Sequence, residues 1–125
     1  VMDATDNLHA RYLINDACVK LGKPFVYGSI CEFCGQVSVF NYQNGPTYRD
    51  LFEYNDEIEN FSQPLGVIGA LPGIVGSLQA NEAIKIILEK PGVLSGKLLT
   101  IDILNNTYLT FAIRKKGREE ESLFK

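Results

Sequence analysis

Two hydrophobic periods alternate along the chain, and the points where one gives way to the other divide it into elements. From Leu8 to Leu21 the apolar residues Leu13, Ile14, Ala17, Cys18 and Leu21 recur at steps of three and four, so one stripe of a helix faces a core. Gly22 supplies a C-cap and Pro24 blocks continuation. "PFVYGSI" (24–30) is β-branched and aromatic, and "QVSVFNY" (36–42) alternates, with Val37 and Val39 on one face and Ser38 and Phe40 on the other. These segments predict two antiparallel strands joined through "CEFCG". A second helix is predicted within "GVIGALPGIVGSLQANEAIKIILEKPG" (66–92), with Pro72 in its first turn and Lys90-Pro91-Gly92 at its end. Its apolar residues Ile74, Val75, Leu78, Ile84, Ile86, Ile87 and Leu88 leave little polar face, which predicts a mostly buried helix. Gly69, Gly73, Gly76, Ser77, Ala80 and Ala83 sit three or four apart on it, so one side can approach a neighbour closely. "KLLTIDI" (97–103) and "TYLTFAIR" (107–114) read as a hairpin around Leu104-Asn105-Asn106.

Between the strand pair and the second helix, Gln43 to Leu65 carries Asp50, Glu53, Asp56, Glu57 and Glu59 with scattered aromatics, and reads as a long, partly ordered acidic loop. The opening "VMDATDNLHARYLIND" is unusual: Val1 to Ala4 reads as the end of a buried strand and Thr5 to Asn7 as a polar turn before the first helix. The pattern is an α/β layout whose first strand lacks its usual predecessors. Residues 1–114 form one folded unit in this reading, and 115–125 a polar, solvated tail.

At 125 residues the chain is one domain's worth of material. A net charge of -3 argues against a nucleic-acid partner held by bulk electrostatics. No apolar run approaches the roughly 20 residues of a membrane span, and no signal peptide is evident, so no membrane role and a cytoplasmic location are expected. Three cysteines without a secretion signal point to reduced thiols.

Three groups could carry chemistry. In "DATDN", a carboxylate where a strand ends and a helix begins lies where open α/β sheets bind ligands; Asp6 could there hold Mg²⁺. Asp6 or Asn7 could equally cap the helix, and the pattern alone favours the cap. Cys31 and Cys34 supply half of a zinc site, but only Cys18 and His9 remain to complete it, both on the first helix. A redox pair of the usual kind would sit at a helix N-terminus, whereas these flank a strand turn, and two small apolar thiols in a hairpin is the favoured reading. His9, the only histidine, has no nucleophile placed beside it, so a hydrolase triad has no support. "GALPGIVG" lacks the Lys-Ser/Thr ending of a P-loop. Arg11 is a candidate to orient a carboxylate such as Asp6, or a phosphate, with an exposed helix Arg as the default.

Taken in order, "DATDNLHARYLIND", "GKPFVYGSI", "GQVSVFNY", "GPTYRDLF", "GVIGALPGIVGSLQANEAIKIIL" and "LSGKLLTID" resemble the second half of the MoeB/ThiF/HesA family, relatives of ubiquitin-activating enzymes. The resemblance implies the C-terminal half of a Rossmann-like ThiF-type fold, a mixed sheet with antiparallel hairpins and two main helices. It implies an ATP- and Mg²⁺-dependent adenylyltransferase that activates the C-terminal glycine of a ubiquitin-like sulfur carrier of the MoaD or ThiS kind, in molybdopterin or thiamine biosynthesis. Asp6 matches the family's metal and nucleotide contact, with Asn7 beside it, and the full-length protein would be a homodimer. The family's glycine-rich ATP loop belongs to a half that would precede Val1, so the fragment is expected to be inactive alone. Where many members carry a zinc-binding Cys-x-x-Cys, this chain has Thr47-Tyr48-Arg49-Asp50, and no second Cys-x-x-Cys follows in the tail, so loss of the structural Zn is expected. Ser62 stands near the place of a loop cysteine that the resemblance links to sulfur-transfer or thioester chemistry, so covalent chemistry of that kind is not expected. Cys31 and Cys34 are not in that zinc position. The alternative from another class is a non-catalytic module for carrier binding and dimerisation.

Overall fold

The computed structural model describes residues 1–5, 7–31, 33–52 and 69–115. Its elements are α1 (Leu8–Leu21), β1 (Phe25–Cys31), β2 (Cys34–Phe40), a short α2 (Tyr48–Leu51), α3 (Ala70–Ile87), β3 (Lys97–Asp102) and β4 (Thr107–Ala112). The fold is mixed α/β, built on a four-stranded antiparallel sheet in the order β1-β2-β3-β4. Both predicted hairpins form: Phe25 pairs with Phe40 and Gly28 with Val37, and across the second, Lys97 pairs with Ala112 and Asp102 with Thr107.

The alternation in β2 sorts two cores onto opposite faces of the sheet. On one face Phe25, Tyr27, Phe40 and Leu98 join Tyr12 and Cys18 of α1 and Tyr48 of α2 in an aromatic cluster; Tyr48 stacks on Tyr27 at 5.3 Å between centroids. On the other, Val37 and Ile101 pack with Leu71 and Val75 of α3. Gly22 ends α1 in the left-handed region at φ 66°, where a side chain would be strained, and Lys23 N donates to Cys18 O at 2.9 Å.

The described part of the stretch after Gln43 includes the short helix α2: Thr47 and Asp50 form a capping box around it, with Asp50 Oδ2 accepting from Thr47 N at 2.7 Å. The acidic stretch from Glu53, Ser62, Asp6 and the tail beyond Lys115 lie outside the described residues. Two expectations are corrected. First, α3 is not mostly buried. Leu71, Val75, Gln79 and Glu82 face the sheet, while Ile84, Ile87 and Leu88 are 53%, 77% and 58% exposed. A helix laid on one sheet face covers a single stripe, and the described residues place no second layer over the rest. The small residues lie on that open side, since a Cβ added to Gly73 or Gly76 would meet nothing within 4 Å. Second, the opening strand end is only partly buried: Asp3 is closed off, but Val1 and Met2 are exposed.

Candidate functional site

The first residues reach the sheet by a short parallel bridge, Met2 to Val26, in which Asp3 N donates to Val26 O at 2.8 Å and Val26 N to Val1 O at 2.7 Å. The backbone then turns on the Asp3 side chain. Oδ1 accepts from both the amide and the hydroxyl of Thr5, at 2.9 and 2.8 Å. Oδ2 accepts from Arg11 Nε at 2.8 Å. Arg11 also donates from Nη2 to Thr5 O at 2.9 Å and lies over the Tyr27 ring at 5.6 Å. It is thus buried rather than an exposed helix arginine, and the carboxylate it orients is Asp3. Burial works against the charged guanidinium, but the Asp3 carboxylate outweighs it and holds the pKa above the ordinary arginine range.

Asn7, next in the described chain, caps α1: Oδ1 accepts from His9 N at 2.8 Å and Ala10 N at 3.3 Å. Of the two capping candidates, the structure shows Asn7 in that role. The Asp3 carboxylate before Asp6 in sequence and the Asn7 amide after it are therefore both engaged by backbone amides.

From the opposite side α3 sends Gln79, whose Nε2 donates to Asp3 O at 2.9 Å and to Val26 O at 3.3 Å. Its amide lies directly against Gly28, where a Cβ would collide with it. Sequence reasoning missed Gln79. The one local signal is a polar residue on the stripe set by Leu71 and Val75. Beside this junction opens a cavity of about 480 Å³ lined by Thr5, Gly28, Ser29, Ile30, Pro72 and Val75 among others. Asp3 and Ala4 of the strand end also line it.

The remaining candidates fall elsewhere. His9 is exposed on the first turn of α1. Cys31 and Cys34 are paired in backbone register at the free end of the β1–β2 hairpin. Cys18 packs with Phe25 and Phe40 at the hairpin's other end, about 20 Å away along the strands, so Cys18 is not a third ligand to that pair. No group of three or more His, Cys, Asp or Glu side chains that could hold a metal occurs among the described residues. Thr47 to Asp50 form the capped turn of α2, docked on α1 by Tyr48 N donating to Asn15 Oδ1 at 2.9 Å and by Arg49 spanning both oxygens of Asp16 at 2.8 Å. No helix among the described residues is long and apolar enough to cross a membrane.

Residues 1–122 match the family model described as the ThiF family. The chain belongs to the ThiF family. Among curated proteins, this ThiF-family chain is 50% identical over 117 residues to a probable molybdopterin-synthase adenylyltransferase of Porphyra purpurea, covering 90% of the chain and 30% of that protein. It is 48% identical over 118 residues to the adenylyltransferase and sulfurtransferase MOCS3 of Anopheles gambiae, covering 93% of the chain and 27% of that protein. The chain therefore spans about three-tenths of the curated relatives it matches. The same fold occurs in E. coli MccB crystallised with AMPCPP and MccA, at a TM-score of 0.77 and 12% identity, over 94% of this chain and 37% of that one.

Proposed function

We propose that the protein to which this chain belongs uses ATP to adenylate the C-terminal glycine of a ubiquitin-like sulfur carrier. The observation that carries this reading is the ThiF-family match along nearly the whole chain, shared with relatives named as molybdopterin-synthase adenylyltransferases. In the proposed reaction the carrier's carboxylate attacks the α-phosphorus of ATP and pyrophosphate leaves. Catalysis then rests on positioning and on neutralising phosphate charge.

Asp6 is assigned the metal and nucleotide contact and Asn7 the residue that orders the helix start beside it. The donor chemistry suits Mg²⁺, a hard cation that takes one or two carboxylates and leaves its other positions to water and phosphate oxygens. Bound there, Mg²⁺ would supply charge neutralisation on the phosphates. The engagement of Asp3 with Arg11 and Thr5, and of Asn7 with the α1 amides, supports the assignment: these bonds fix the described backbone that flanks Asp6 in sequence. The carrier's tail is assigned to the cavity beside Gly28, Ser29 and Ile30. Leu109 and Phe111, 52% exposed each on the edge strand β4, offer apolar surface for the carrier's folded body. The exposed side of α3 is assigned to a homodimer contact in the longer protein.

The remaining phosphate contacts are assigned to the rest of such a protein, so this chain alone is expected to give no ATP–pyrophosphate exchange. The test is that exchange in the full-length protein, offered a MoaD-like and a ThiS-like carrier in turn. Carrier-dependent exchange that falls about a hundredfold or more in Asp6→Ala is the expected result. Absence of exchange with either carrier, or full activity in Asp6→Ala, would overturn the reading, and binding of carrier without exchange would favour a non-catalytic module.

A further inference from the structure

The β1–β2 ladder ends on the pair Cys31–Cys34. The Cα atoms of residues directly opposed on antiparallel strands lie about 4.5 to 5.5 Å apart. That separation lies within the window of about 4.4 to 6.8 Å that a disulfide spans. Cys34 is exposed to solvent and to reagents. The third cysteine differs on every count: Cys18 is 2% exposed, sits in the aromatic cluster at the far end of the hairpin, and burial pushes its thiol pKa up.

A metal fits this pair less well than a redox role. The next residue across the sheet from Cys34 is Asp102. Both of its carboxylate oxygens are already engaged: Oδ1 accepts from Leu104 N and Asn105 N at 3.0 and 3.2 Å, and Oδ2 from Asn105 Nδ2 at 2.8 Å.

We propose that Cys31 and Cys34 form a reversible cross-strand disulfide by exchange with a small-molecule disulfide. The Cys34 thiolate attacks one sulfur of the oxidant, forming a mixed disulfide and releasing one thiol. The Cys31 thiolate then attacks Cys34 Sγ, closing the protein disulfide and releasing the second thiol. Two protein thiols are oxidised, one external disulfide is reduced, and the two protons lost by the cysteines end on the two released thiols. A ring this short removes little chain entropy, and an exposed bond between strands that are already paired belongs to the labile class of disulfides rather than the structural one. Its place gives it a consequence. Ser29 and Ile30, immediately before Cys31, line the cavity beside Asp3, and Ile103 N donates to Phe33 O at 3.0 Å, so the hairpin end is tied to both the cavity and β3.

The experiment is to equilibrate the purified chain in graded mixtures of reduced and oxidised glutathione, quench with iodoacetamide, and map alkylation by mass spectrometry. Cys31 and Cys34 are expected to lose alkylation together, as a species two hydrogens lighter, and to regain it fully when reductant is added. Cys18 is expected to stay a thiol in the folded protein throughout. Cys31→Ser and Cys34→Ser, checked for folding by circular dichroism, should each show only a glutathione adduct on the remaining cysteine. Three results would overturn the proposal: independent modification of the two cysteines at every ratio, pairing of either with Cys18 or with a second chain, or stoichiometric zinc that protects both from oxidation.

Discussion

Arg11 Nε donates to Asp3 Oδ2 at 2.8 Å, and both side chains are closed from solvent, with 8% and 0% of their surface exposed. Through this pair the first helix grips the strand end before it. Gln79 reaches the same Asp3 from α3, so three elements distant in sequence converge on one residue.

Breaking the pair from one side is costlier than removing it. Asp3→Asn strands a buried guanidinium and is expected to destabilise the fold by about 3–5 kcal/mol. Adding Arg11→Met to that variant should recover part of the loss. Urea unfolding of the two single variants and the double variant measures this; a double variant that loses the sum of the two would show that the residues do not act as a pair.

Gly28 is required by the Gln79 amide laid against it. Gly28→Ala is expected to cost about 1–3 kcal/mol, because the added carbon must displace the amide. Gln79→Ala should cost about 1–3 kcal/mol through the lost donor to Asp3 O and Val26 O. Combining them should cost clearly less than the sum, since the collision is then gone. Thermal or urea denaturation of the four proteins checks it.

Glu82 ties the end of α3 to the approach of β3. Its carboxylate is 1% exposed as a residue, accepts from Leu94 N at 2.7 Å through Oε1, and pairs with Lys85 through Oε2. Glu82→Ala is expected to lose about 1–3 kcal/mol, and Glu82→Gln less, because an amide oxygen can still accept from Leu94. Hydrogen exchange at the Leu94 amide reports the tie directly and should quicken most in the alanine variant.

Burial raises the pKa of both Tyr27 and Tyr48 above the ordinary 10.0. In the unfolded chain these phenols ionise first, so above that pH the folded state binds more protons than the unfolded one and stability falls as pH rises. Their contribution is fully present below pH 10.0 and is lost as pH climbs through the higher folded values. Spectrophotometric tyrosine titration should show these two ionising only with unfolding, and Tyr27→Phe should flatten the alkaline loss of stability.

Most of the local architecture was readable along the chain. The period of three and four in α1, the alternation of Val37 to Phe40, the stop at Gly22 and Pro24, and both hairpins depend on neighbours close in sequence. The ThiF likeness was readable too, because it rests on ordered segments along the same line. Yet the same pattern overstated the burial of α3, since periodicity says which side of a helix is apolar and nothing about how many layers cover it.

What the sequence by itself determined, then, is where the two main helices and the four strands lie and which family they belong to. Only the tertiary structure decided that Arg11 serves Asp3, that Gln79 braces both against Gly28, and that Cys31 and Cys34 fall directly opposite one another. The first two join residues 8 and 76 positions apart, and the third depends on strand register. Such pairings are set by packing across the whole sheet, where a shift of one residue would move every side chain to the other face.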